Sequence, residues 1–136
     1  MSYDPNNLFA QILRGDLGCV KVYEDEETLA FMDIMPQSEG HTLVIPKEPV
    51  VTLLELSDDA AAATVRTVKK IGKAIKEAYG PGVTVMQLND AEAGQTVPHI
   101  HFHLIPGSIL NAKPHAREVE KPEVLQAAAD KIIACL

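Results

Sequence analysis

The run His99-Ile100-His101-Phe102-His103-Leu104-Ile105 constrains this 136-residue chain more than any other stretch. Histidine and apolar residues alternate strictly, the period-two signature of a β-strand with two unlike faces. Three imidazoles project from one side of such a strand, while Ile100, Phe102 and Leu104 can lie on a core. Adjacent histidines then stand about 6.6 Å apart and the outer pair about 13 Å, at roughly 3.3 Å of rise per residue. Three of the five histidines in the chain fall within these seven positions.

The rest of the chain supplies the setting for that strand. Residues 1–136 are expected to form one domain, long enough to bury a real core. A net charge of −7 argues against broad nucleic-acid or membrane-surface binding. It still permits a small phosphate ligand, because backbone N–H groups and a few histidines can set a local field against the global one. No apolar run is long enough to span a membrane, and the first residues lack signal-peptide character, so the expected location is the cytoplasm. Cys19 and Cys135 form no CxxC pair and are expected to be reduced and unpaired.

In chain order, Pro5 suits the first turn of a short helix carrying Leu8, Phe9, Ile12 and Leu13, which Gly15 ends. Strands are expected over Val20–Glu24 and Thr28–Met32, joined by a turn at Asp25-Glu26-Glu27, and again over His41–Ile45. The three make an antiparallel meander. Ser57 caps a long helix with Val65, Val68, Ile71, Ile75 and Tyr79 as its apolar stripe, ended by Gly80-Pro81. A strand over Val83–Leu88 and the small-residue loop 89–96 lead into the histidine strand. A polar, irregular tail then runs to about Lys121, and Pro122 opens a last helix. This order predicts an α+β domain, with about five antiparallel strands, a long helix packed on the sheet and short terminal helices.

Four chemistries suit the histidine row. A merely solvated polar face is the plainest, although three histidines in perfect alternation rarely arise that way. Two histidines at i and i+2 could share a zinc ion, with His41 or Asp33 as a third ligand. One neutral imidazole could attack phosphorus while its second nitrogen donates to a carbonyl that fixes the tautomer. The same row could also cradle phosphate without turnover. The preceding loop favours phosphate. Gly94 permits close backbone approach, and Gln95 and Thr96 bring amide, hydroxyl and main-chain donors.

The run from Ala93 to Pro106 resembles the signature of the histidine triad (HIT) family, His-φ-His-φ-His-φ-φ with φ apolar. The likeness extends through Leu8–Ile12, Val22–Asp25, Phe31–Gln37 and His41–Lys47. It implies the HIT-like fold and a nucleotide hydrolase or transferase acting at the α-phosphate of a purine nucleotide conjugate. By that resemblance His101 is the nucleophile, oriented through the main chain of His99. His103 contacts phosphate oxygens, and His99 and His41 support the pair. Asn89, Gly94, Gln95 and Thr96 correspond to the phosphate-side loop, and Asp33 to the acceptor for ribose hydroxyls. Phe9, Ile12, Phe31, Ile34 and Leu43 correspond to the slot around the base.

Within the family the phosphoramidase (Hint-like) branch is the leading expectation. A dinucleoside polyphosphate hydrolase (Fhit-like) or a non-catalytic purine nucleotide-binding module are the alternatives. No cofactor is expected. Some members hold a structural zinc through an N-terminal CxxC-type pair, but Asn7-Leu8-Phe9-Ala10 has no cysteine, so no metal is expected either. Family members generally form two-fold dimers, which makes a homodimer the expected assembly.

Overall fold

The computed structural model describes residues 2–114 and 118–136. Asn7 opens the first helix, α1 (Leu8–Arg14), by accepting the Ala10 N–H on its side-chain oxygen at 2.9 Å. The helix therefore begins after Pro5, which lies in the preceding turn rather than in the first helical turn. Strands β1 (Lys21–Glu24), β2 (Thr28–Met32) and β3 (Thr42–Pro46) form the expected antiparallel meander. The acidic turn between β1 and β2 has a physical basis. Asp25 Oδ1 accepts the Glu27 and Thr28 N–H groups at 2.9 and 2.8 Å and the Thr28 hydroxyl at 3.0 Å.

Ser57 caps the long helix α2 (Asp58–Tyr79), its hydroxyl accepting the Ala60 N–H at 3.2 Å. The buried face of α2 runs through Ala63, Thr64, Thr67, Val68, Ile71, Ala74 and Ile75. Val65 was expected in this stripe but is 46% exposed, because Thr64 and Thr67 occupy the turn that faces the sheet. The Thr67 hydroxyl meets that of Thr28 at 2.7 Å, which satisfies both inside the core. After α2 come β4 (Val83–Gln87), β5 (Phe102–Pro106) and α3 (Pro122–Ile133). In the tail, Ile109–Asn111 forms a short 3-10 turn, and residues 115–117 lie outside the described residues.

The five strands are ordered β1-β2-β3-β5-β4, so the last strand in the chain is inserted between β3 and β4. Alternation divides each strand between two cores. Ala30, Met32, Val44 and Leu104 face the buried sides of α2 and α3, including Ile71, Ile75, Leu125 and Ile132. Leu29, Phe31, Leu43 and Ile45 face the other way and pack with Phe9 of α1. The long and C-terminal helices thus cover one face, while α1 shelters part of the opposite one. No helix among the described residues is long and apolar enough to cross a membrane.

The histidine strand is shorter than the alternation implies. It was expected to start at His99 but starts at Phe102, the first residue of the strand to find partners on both sides. Gln87 ends β4 opposite Phe102, and β3 pairs with β5 only as far as Val44. Residues 97–99 bend away, with the Ile100 N–H donating to the Val50 carbonyl at 3.1 Å. The row of imidazoles is not a solvated face either, since His99, His101 and His103 are all buried.

Gly40, immediately before His41, holds φ at +92°, and an added Cβ would stand 2.7 Å from the Tyr79 ring and 2.9 Å from Pro106. Gly40→Ala is expected to cost about 2–4 kcal/mol, from left-handed strain plus overpacking. Urea unfolding of the two proteins checks the figure.

Candidate active site

Leu43 of β3 lies opposite His103 of β5, so His103 projects into the face shared by Phe9, Phe31 and Leu43. His41 precedes β3 and continues its alternation, which brings the His41 ring beside His103. The two meet at 3.0 Å, Nε2 to Nδ1, both fully buried. His101 lies two residues before His103 on the same side, their ring centroids 4.9 Å apart. The edge-to-face approach is closer than the 6.6 Å rise of an ideal strand. The Phe9 ring meets His101 nearly at right angles, with centroids also 4.9 Å apart.

The hydrogen bonds define one consistent set of neutral tautomers. The Gln37 N–H donates to His41 Nδ1 at 3.0 Å, so His41 carries its proton on Nε2. That proton faces His103 Nδ1, with Asp33 Oδ2 also 3.5 Å away. His103 then carries its own proton on Nε2. His101 donates Nδ1–H to the His99 carbonyl at 2.7 Å, so in the neutral ring Nε2 is the unprotonated nitrogen. His99 donates Nε2–H to the Pro46 carbonyl at 2.8 Å and accepts the Tyr3 hydroxyl on Nδ1 at 2.6 Å. With neutral rings, the four imidazoles thus form one consistent set of donors and acceptors.

His101 and His103 form one wall of a pocket of about 390 Å³. The remaining wall includes Phe9, Ile12, Phe31, Asp33, Ile34, Leu43 and Thr96, all singled out from the sequence. Leu8, Leu17, Gly18, Cys19, Met32, Met35 and Val97 also line it and were not singled out. Leu17–Cys19 connect α1 to β1 and bear no chemical motif, so only the folded chain reveals them. Ile34 is half exposed at the rim, whereas the aromatic rings are buried at the back. Asp33 Oδ1 accepts the Met35 N–H at 2.8 Å, so this carboxylate both shapes its loop and faces the pocket.

Other expected residues stand behind the pocket. Gln95 accepts the Asp90 N–H at 2.7 Å and donates to the Val51 and Val97 carbonyls at 2.7 and 3.0 Å. Its amide ties the loop to the domain. Asn89 Oδ1 accepts from the Leu53 N–H and from Gln87, each at 2.9 Å. Gly94 is an exposed turn at φ 104°. His41 stands behind His103 and Asp33, and His99 behind His101.

Among the described residues, ligand atoms of Asp33, His41 and His103 lie within 4.8 Å of one another, close enough for a divalent ion. His99 stands apart from that group. The N-terminal positions expected to bear cysteine in zinc-binding relatives hold Asn7, a helix cap, and Ala10, which do not fit a thiolate site.

The HIT domain model matches residues 14–109. The chain belongs to the HIT domain family. A Bacillus subtilis relative named Protein hit is 41% identical over 134 residues, covering 93% of this chain and 92% of its own. An adenosine 5'-monophosphoramidase of Schizosaccharomyces pombe is 48% identical over 100 residues, covering 73% of this chain and 72% of its own. The crystal structure of a Hit-like protein from Bartonella henselae superposes with a TM-score of 0.93 at 44% identity, covering all of both chains. The HIT fold expected from the sequence is therefore the fold of this protein.

Burial holds the His99 pKa below the ordinary 6.5, against an opposing pull from the Pro46 carbonyl. The folded ring stays neutral at a pH where the unfolded one takes up a proton. Its contribution to stability is complete above about pH 6.5 and is lost as pH falls toward the folded pKa, at up to about 1.4 kcal/mol per pH unit. Urea titrations between about pH 7 and 5 are expected to show this slope, and His99→Gln to flatten it.

Proposed function

We propose that this protein is a nucleotide-conjugate hydrolase of the phosphoramidase kind, acting at the α-phosphate of a purine nucleotide bonded to an amine. One observation carries the reading: His101 lines an apolar pocket while its Nδ1–H is held by the His99 carbonyl, which leaves Nε2 as the nitrogen for a substrate. A tautomer fixed in this way is what a histidine nucleophile needs. The similarity to a phosphoramidase supports the choice of leaving group.

In the proposed reaction the base occupies the slot formed by Phe9, Ile12, Phe31, Ile34 and Leu43, with the ribose against Asp33. His101 Nε2 attacks phosphorus, forming a P–N bond as the bond to the leaving nitrogen breaks, and that nitrogen takes the bonding pair and a proton from water to depart as the amine. The imidazole gains positive charge, which the His99 carbonyl stabilises through Nδ1–H. His103 Nε2–H and Thr96 face the same space and donate to phosphate oxygens. Water then attacks phosphorus, the P–N bond to His101 breaks, and the nucleotide leaves. Asn89, Gly94 and Gln95 act in this scheme by holding the loop that presents Thr96.

His101→Ala is expected to lose several orders of magnitude in turnover of adenosine phosphoramidate while retaining nucleotide affinity. Steady-state kinetics and calorimetric titration with AMP check both parts. Acid quench of the wild type should trap a nucleotidyl-histidine on His101. Binding of AMP by the wild type without turnover of phosphoramidates or diadenosine polyphosphates would sink the enzyme reading and leave a binding module.

The whole chain acts as one domain in this reading, in the cytoplasm and as a homodimer. Among the described residues β4 pairs only with β5, and Val85 on it is half exposed, which leaves an edge open to a second copy. Sedimentation equilibrium is expected to give about twice the 14.7 kDa chain mass, and a Val85→Lys substitution to lower it.

A further inference from the structure

The geometry points to Tyr3 as a positioning residue for the nucleophile, acting through His99. This rests on the assignment of His101 as nucleophile, and it concerns a residue outside the stretch matched by the family model.

The His99 ring is fully buried and has two nitrogens to satisfy. Two separate elements supply the partners, the Pro46 carbonyl at the end of β3 and the Tyr3 hydroxyl from the N-terminal segment. A proline carbonyl can only accept, so Nε2 must be the donor and Nδ1 the acceptor. Tyr3 is the donor that Nδ1 requires, at 2.6 Å, and its ring also meets that of His99 edge-on with centroids 5.6 Å apart. The carbonyl of this clamped residue accepts Nδ1–H from His101. Any tilt of His99 therefore moves the group that orients the nucleophile.

The N-terminal segment is built to hold Tyr3 there. Asn7 returns its amide to the Asp4 carbonyl at 2.7 Å while capping α1, and Arg14 reaches the Pro5 carbonyl. Two residues into that capped turn, Phe9 backs both rings, its centroid 6.4 Å from that of His99 and 4.9 Å from that of His101. Tyr3, Phe9 and the Pro46 carbonyl enclose His99 from three directions. With the hydroxyl removed, Nδ1 becomes a buried acceptor with no donor from Tyr3, which favours rotation of the ring or an exchange of its tautomer.

Tyr3→Phe keeps the ring and removes only the donor. It is expected to lower kcat about tenfold with KM within about twofold, because substrate still fits while the nucleophile is misaligned. The 1H–15N spectrum of the imidazoles is expected to show the hydrogen-bonded Nδ1–H resonance of His101 displaced, with the unfolding midpoint recorded alongside. Tyr3→Ala is expected to reproduce the kcat loss and the same displacement. A kcat within twofold of wild type in Tyr3→Phe overturns the inference. So does a reduced kcat with the His101 resonance unmoved, which would mark a general loss of stability. Activity retained by His101→Ala would instead remove the assignment of His101 as nucleophile on which this inference rests, so the two failures are distinct.

Discussion

Neutral imidazoles packed together inside a protein must each give one proton and take one, and the direction of every exchange has to agree with the next. In this site that direction is set at the ends by backbone groups. The Gln37 N–H can only donate, and the carbonyls of Pro46 and His99 can only accept. Peptide groups do not titrate near neutral pH, so they hold the sense of the two chains of bonds. The nitrogen that meets the pocket is thereby selected by main-chain geometry, and the fold of β3 becomes part of the chemistry.

A chain with a net charge of −7 is an unpromising binder of anions. For the proposed phosphate ligand, the pocket separates two tasks. Its back is apolar, formed by Phe9, Phe31 and Leu43, and removes a flat hydrophobic body from water. Its wall also carries polar groups, the buried His103 ring and the exposed Thr96 hydroxyl, whose dipoles act over short range. Local donors outweigh a diffuse negative surface at that distance.

Much of this was legible in the sequence because it is periodic or punctuated. Alternation assigned β2, β3 and the histidine face, and Ser57, Gly15 and Gly80 marked helix ends that the structure keeps to within a residue. What escaped was set by distance across the chain. Tyr3 and His99 are 96 residues apart, and no local pattern connects them. Leu17, Gly18 and Cys19 enter the pocket through the path of a connection, which periodicity does not describe. The start of β5 depended on where Gln87 and Val44 stopped pairing, a property of its neighbours rather than of its own residues. Threonines in the buried stripe of α2 read as polar until Thr28 is found opposite Thr67.

The insertion of β5 between β3 and β4 has a bearing on how the protein is made. The meander β1-β2-β3 can form from local contacts as the chain emerges, but β3 keeps a bare edge until β5 is available. The strand that fills the gap carries His103 and draws His101 with it. Site assembly and closure of the sheet consequently depend on the same strand. No shortened or half-folded form of the chain lacking β5 can present the two rings side by side.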